Sequence, residues 1–335
     1  MLRSHVLSSF LAALLAAGLA ATALAPAALA QEPEGVSREA IAEVLKVLKF
    51  PVTYMTSEAG SPTIETRFGD IATTLQFGDC EGAPPVCKDL AFIATFDEVE
   101  VPALADIVAR NENWNFVKIT LDPGAGVPGA EMDLTMISGD PQIRLAAAID
   151  IWRSLAEGLA DGFPMSPPPS VLSNKVLDSA MTASPAMASA LFAPDPDIPA
   201  SRQLQIVNAE TLAAMLKELG YETTPANDDG TMMWVDVDGV KSIASPRVCN
   251  RKQNHCGLLS LVHIRDPRRN ETMEKINDFN ISEWFVRAFR VDTGQTLFSF
   301  DAPVFDGLSR DDLERYLSIW AGTVSAYDSY IDAEE

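Results

Sequence analysis

Four cysteines fall into two pairs of identical spacing, Cys80 and Cys87 in CEGAPPVC and Cys249 and Cys256 in CNRKQNHC, with His255 beside the last of them. Thiols and an imidazole in such a pattern serve metal binding, dithiol redox chemistry or covalent stapling. A structural metal needs about four ligands in tetrahedral reach. Beyond residue 30 the chain has only His255 and His263, and Val86 stands where the first pair would need its own histidine. A metal would therefore require the two pairs to converge. A thioredoxin-like redox centre uses a two-residue spacer at a helix start, whereas both pairs here have six residues between the cysteines, in what reads as a loop between strands. The reading that fits best is two disulfides, Cys80–Cys87 and Cys249–Cys256, each pinning a hairpin. Closing so short a loop contributes roughly 2–3 kcal/mol. Gly82, Pro84 and Pro85 in one loop, and the polar run Asn250 to Asn254 in the other, suit exposed turns.

No other constellation of catalytic type is present. The chain carries no G-x-S-x-G, no H-E-x-x-H and no P-loop. His263 lies in an apolar run and reads as a half-buried strand residue. Asp228-Asp229-Gly230 reads as a hairpin turn, and the D-V-D-G at 236–239 lacks the later glutamate of a calcium loop. The expectation is a protein that is not an enzyme, with no catalytic residues, no metal and no cofactor.

Charge gives one candidate surface. The chain has 25 Lys and Arg against 47 Asp and Glu, a formal charge of −22, which argues against general nucleic-acid binding. Within 241–275, however, Lys241, Arg247, Arg251, Lys252, Arg265, Arg268, Arg269 and Lys275 face only Asp266, Glu271 and Glu274, so that 8 − 3 = +5. One reading is a set of solvated loops. The other is an anion-facing or partner-binding surface of Arg247, Arg251, Lys252, Arg265, Arg268 and Arg269, with the hairpin tip and the strand-to-helix turn sharing one edge.

The ends of the chain suggest where it works. Arg3, the Ala/Leu-rich run Leu11 to Leu24 and the small-x-small site Ala28-Leu29-Ala30 have the order of an export signal over 1–30. No later stretch is long and apolar enough for a transmembrane helix. A periplasmic or secreted protein is expected, in an oxidising compartment where disulfides persist.

The elements that position these residues are written twice. SREAIAEVLKVL (37–48) and NAETLAAMLKEL (208–219) each open on a capping residue, Ser37 or Asn208. Each then carries apolar residues at helical spacing: Ile41, Val44, Leu45 and Leu48, or Leu212, Met215, Leu216 and Leu219. The cysteine pairs follow, then the strand-like runs LAFIATF (90–96) and LLSLVHI (258–264). An Asn-aromatic-Asn element comes next, NENWN (111–115) against NDFN (277–280), which would cap a short helix and turn the chain into a strand. Two strands close on a helix holding Ile151-Trp152 or Ile319-Trp320, the first entered through Asp140-Pro141 and the second through Ser309 and Asp312. The order predicts an α+β fold of two tandem α-βββ-α-ββ-α domains with mainly antiparallel sheets, at 37–162 and 204–331. The Pro/Ala/Ser-rich segment 163–203 reads as a linker. Within it Val171, Leu172, Val176, Leu177 and Met181 could form one docked helical turn.

The helix Asn208 to Tyr221, the cysteine pair, the NDFN element and the final Trp helix together resemble the YbjN family, also described as bacterial sensory transduction regulators. Copy two is the better match. In this alignment Phe50-Pro51 stands where copy two has Gly220-Tyr221, and Trp114 where it has Phe279. The resemblance implies a fold similar to type III secretion chaperones, which pair as dimers, so a tandem chain would form an intramolecular pseudo-dimer. It implies no catalytic residues. The resulting expectation is a non-enzymatic, chaperone-like or adaptor-like binding protein, regulatory in envelope stress or signalling, with a protein partner. The alternative is a small-ligand sensor with a pocket between sheet and helices or between the repeats.

Overall fold

The computed structural model describes residues 35–57, 60–97, 101–137, 141–162, 164, 200–250 and 254–332. The expected leader, Asp140, the docked turn at 171–181, Arg251 and Lys252 all lie outside the described residues.

Copy one opens with a two-residue strand β1 (Val36–Ser37) and helix α1 (Arg38–Val47). Strands β2 (Thr53–Thr56), β3 (Pro62–Phe68), β4 (Ile71–Glu81) and β5 (Val86–Thr95) follow. Helix α2 (Leu104–Arg110), strands β6 (Lys118–Leu121) and β7 (Pro128–Thr135) and helix α3 (Pro141–Ala160) complete it. Copy two repeats the series as α4 (Ala209–Glu218), β8 (Thr223–Pro225), β9 (Met233–Val237), β10 (Val240–Asn250), β11 (His255–Arg265), α5 (Met273–Ser282), β12 (Val286–Arg290), β13 (Thr296–Pro303) and α6 (Arg310–Asp332). The fold is α+β with two antiparallel sheets, ordered β2-β3-β4-β5-β7-β6 and β12-β13-β11-β10-β9-β8, and β1 pairs with β5.

Each copy has four strands between its opening and middle helices, one more than the three expected. The extra strand is the short edge strand β2 or β8. Prolines at 51 and 225 flank or end these segments, and neither shows the apolar alternation that marks a longer strand.

The opening helices form as their caps and spacing dictate. The Ser37 hydroxyl accepts from the Ala40 N–H, and Asn208 and Thr211 form a reciprocal capping box. Ile41 and Leu45 are buried in one helix and Leu212, Met215 and Leu216 in the other. Leu48 departs from the expected core face: α1 ends at Val47, and Leu48 caps it at 39% exposure. The two helix ends are equivalent through a left-handed residue, Gly220 at φ 92° in copy two and Lys49 at φ 65° in copy one. Phe50 and Tyr221 then bond back to Leu45 O and Leu216 O, so Phe50 corresponds to Tyr221 rather than to Gly220. Lysine tolerates that conformation less well than glycine, which is why the sequence alignment slipped there.

The closing helices are anchored alike. The Trp152 indole donates to Thr73 Oγ1 at 3.0 Å and the Trp320 indole to Ser242 Oγ at 2.8 Å, and both rings are fully buried. At the start of α6, Ser309 Oγ accepts from the Asp312 N–H, and Asp312 Oδ2 accepts from the Ser309 N–H.

The two copies pack together. Helix α2 lies against α5 and β12 of copy two, and α5 lies against β6 of copy one. Strands β6 and β12 are the edges of their sheets, so each exposed edge is covered by the other copy's middle helix. The cores interpenetrate: Leu258 and Phe305 of copy two belong to the copy-one core, and Val108 of copy one to the copy-two core. Gly78 in β4 meets the Trp284 ring so closely that a Cβ there would lie 2.6 Å from it.

Candidate functional site

Both cysteine pairs are disulfides, with Cys80 opposite Cys87 in the β4–β5 hairpin and Cys249 opposite Cys256 in the β10–β11 hairpin. The His255 ring, 3% exposed, accepts from the Val207 N–H at Nδ1 (2.9 Å) and lies 3.1 Å from Phe305 O at Nε2. A carbonyl only accepts, so Nε2 carries the proton and both nitrogens are engaged. Burial lowers its pKa below the ordinary histidine value. His263 Nδ1 donates to Lys241 O at 2.8 Å, and its ring faces Phe298. Among the described residues no group of three or more His, Cys, Asp or Glu is placed to hold a metal.

The described basic residues do not converge. Arg247 pairs with Leu258 early in β11, whereas Arg265 ends that strand. At about 3.3 Å per residue the two ends are some 23 Å apart. Arg247 and the strand-to-helix turn therefore lie at opposite ends of one strand, not on one edge. Arg265 stacks on Tyr327 (4.8 Å) and Phe298 (5.3 Å) and pairs with Glu271 and Asp328. Arg268 pairs with Asp328 at 3.1 Å. Arg247 and Arg269 are exposed, with Arg247 Nε on Ser245 Oγ.

The sequence reading missed the polar seam between the copies. Lys118 of β6, 4% exposed, pairs with Glu131 (2.9 Å) and Asp133 (3.9 Å) and donates to Glu283 O of copy two. Arg287 of β12, also 4% exposed, pairs with Asp301 (2.5 Å) and donates to Asn111 O of copy one (2.9 Å). Asp133 Oδ2 accepts from the Phe285 N–H at 2.7 Å. Burial works against the Lys118 ammonium, but Glu131 and Asp133 outweigh it and raise its pKa. Burial, reinforced by Glu131 and opposed by Lys118, raises the Asp133 carboxyl well above the ordinary range. Two further ionic sets cross the seam, Arg144 with Asp306 and Asp312, and Arg315 with Asp89 and Asp79. The available signal was repetition: Lys118 in FVKITLD and Arg287 in FVRAFRVD hold equivalent places inside apolar strands.

The Asn-aromatic-Asn elements are clasps. The Asn111 amide bonds both the N–H and the C=O of Ile119, and the Asn280 amide does the same with Ala288. Asn111 is thus the equivalent of Asn280, and Trp114 is not the counterpart of Phe279. Asn277 makes the same two-sided contact across the seam, to Leu121 of copy one.

Beyond the seam, the part of each sheet farthest from the other copy keeps an outward face. In copy two, register places Thr224, Trp234, Ile243 and Val262 side by side across β8 to β11. Lys241 lies over the Trp234 ring at 4.9 Å, and Ile264 beyond the row is 41% exposed. The equivalent row in copy one is Thr53, Glu65, Thr74 and Ile93. There it lines an open cavity of about 420 Å³, with Arg67 and Thr95 beside it.

The family model for YbjN, described as "Putative bacterial sensory transduction regulator", matches residues 37–164 and 208–333, more than half of the chain. The chain belongs to the YbjN family. The two matched regions make it a tandem YbjN protein. No curated protein matches the chain. The crystal structure of YbjN, a putative transcription regulator from E. coli, matches at 14% identity over 37% of this chain and 90% of its own, with a TM-score of 0.30. No helix among the described residues is long and apolar enough to cross a membrane.

Proposed function

We propose that this YbjN protein is an exported, non-catalytic adaptor that holds a protein partner on the open face of its copy-two sheet. The carrying observation is the Trp234–Ile243–Val262 row, with Ile264 exposed beyond it, on a sheet whose other half is buried in the seam. Lys241 beside it and the exposed Arg269 suit a partner segment that combines apolar side chains with carboxylates. The paired cysteines and the leader-like 1–30 support a periplasmic or secreted setting, and the family description supports a regulatory role. The test is crosslinked capture from a periplasmic extract with the oxidised protein, comparing wild type with Trp234→Ser/Ile264→Ser. A discrete protein captured by wild type and lost in the variant supports the reading. Capture undiminished by the variant overturns this placement of the site.

A second reading, a small-ligand sensor, is favoured by the cavity in copy one, where the same row of the sheet is polar and concave.

A further inference from the structure

The two copies share a backbone plan but not the chemistry of their outward rows. Where copy two places the Trp234 ring, copy one places the Glu65 carboxylate. Where copy two has Asp236, whose carboxylate accepts from the Gly239 N–H in its own turn, copy one has Arg67. Glu65 and Arg67 alternate with buried Thr66 on β3, so both point to the open face. At about 3.3 Å per residue their backbones are some 7 Å apart.

Glu65 and Arg67 do not pair with each other. Arg67 Nη2 donates to Asp70 O at 2.6 Å, which fixes the guanidinium and leaves its other N–H groups available. Among the described residues Glu65 makes no side-chain hydrogen bond and no ion pair, with Arg67 or with any other group. Thr53 and Thr74 flank Glu65 in the row, Thr95 adds a third hydroxyl, and Ile93 supplies an apolar floor.

We propose that this cavity binds a small zwitterion, an ammonium and a carboxylate on one aliphatic frame such as an α-amino acid, with Glu65 taking the ammonium and Arg67 the carboxylate. The proposal rests on the sensor reading and names its ligand class. A simple anion would meet Glu65, a simple cation would meet Arg67, and a neutral polyol would hydrogen-bond to both but bring an opposite charge to neither. Opposite charges held apart over an apolar floor match a molecule that is itself charged at both ends and aliphatic between them. Copy two, with Trp234 and Asp236 at these positions, lacks both partners and offers no second site.

The test uses the full oxidised chain and three probes of one shape: valine, valinamide without the carboxylate, and isovalerate without the ammonium. Binding is read from backbone amide shifts at Thr74 and Ile93. Valine is expected to saturate these shifts, with the single-charge probes about tenfold weaker, the loss of one charge-assisted contact. Glu65→Gln should bring valine down to isovalerate, and Arg67→Gln should bring it down to valinamide. Both side chains are exposed, so these variants keep the fold, which circular dichroism checks. Valine binding no tighter than either single-charge probe, or unchanged in both variants, overturns the proposal. Glucose saturating the same amides while valine does not would overturn the zwitterion and leave the sensor reading standing. No response at these amides to valine, glucose or a mixed metabolite extract overturns both.

Discussion

Arg144 of copy one grips Asp306 of copy two with two parallel contacts, Nε to Oδ2 at 3.0 Å and Nη2 to Oδ1 at 3.2 Å, with both side chains almost wholly buried. Asp312 stands 3.6 Å from Nη1, and Thr135 O accepts from the same nitrogen. Burial penalises the guanidinium, yet the two carboxylates more than offset it and raise its pKa. Two carboxylates around one cation make the arginine the member that cannot be removed alone.

Arg144→Met is therefore expected to cost about 3–5 kcal/mol, because it leaves Asp306 and Asp312 buried without their cation. Adding Asp306→Asn should restore part of that loss. Urea denaturation of the single and double variants measures both. A single variant within about 1 kcal/mol of wild type would show that the ion set does not hold the copies together.

The Asn280 clasp gives a second expectation. Its amide, fully buried, donates to Ala288 O at 2.9 Å and accepts from Ala288 N at 2.7 Å. Asn280→Ala leaves both backbone groups unpaired and is expected to cost about 2–3 kcal/mol. Asn280→Asp keeps the acceptor but loses the donor and buries a charge, so it should be no better than alanine. Thermal unfolding of the two variants checks the order.

What could be read from the sequence was whatever repeats with a local signature. Ser37 and Asn208 announce their helices, Cys80/Cys87 and Cys249/Cys256 announce their hairpins, and Trp152 and Trp320 announce the closing helices. The edge strands β2 and β8 escaped because three or four residues are too short to show a period. The offset slipped at Lys49 and Trp114 because residue type there differs while backbone role does not. The seam was hidden for a different reason: Lys118, Asp133, Arg287 and Asp301 read locally as outward strand positions, and only the docking of one copy on the other buries them. The same holds for the basic run at 241–275, where sequence proximity suggested one surface and the direction of β11 separates its members.

The disulfides should stabilise unequally through their surroundings although they close loops of equal length. Each joins residues 7 apart, worth roughly 2–3 kcal/mol by loop closure. Cys256 is 3% exposed and adjoins His255, which ties β11 to Val207 and Phe305. Cys87 is also fully buried, so a serine at 87 or at 256 buries a hydroxyl alike. Cys249→Ser/Cys256→Ser is expected to cost more than Cys80→Ser/Cys87→Ser because freeing Cys256 also loosens the His255 ties to Val207 and Phe305. Comparing the midpoints of denaturation of the two double variants tests the difference, and equal midpoints would refute it.

Asp133 sets a pH dependence whose sign is opposite to ordinary acid denaturation. It faces Lys118 and Glu131 within its own sheet and the Phe285 N–H from copy two, with Arg287 and Asp301 lining the same small buried space. Its folded-state pKa lies above the unfolded value of about 3.9, so the native state takes up a proton that the unfolded chain does not. Its charge therefore penalises folding above the folded pKa, and the penalty fades as pH falls through that value, disappearing below the unfolded one. Asp133→Asn removes the charge and keeps an oxygen for the Phe285 N–H. The variant is expected to be more stable than wild type near pH 7, with the gap narrowing towards zero near about pH 4. His255, whose pKa is lowered, loses its contribution as pH falls below about 6.5, but it is common to both proteins and cancels in the difference. Urea denaturation across that range reads the gap directly. A variant less stable than wild type at neutral pH would mean that the Lys118–Asp133 attraction outweighs the cost of burying the carboxylate.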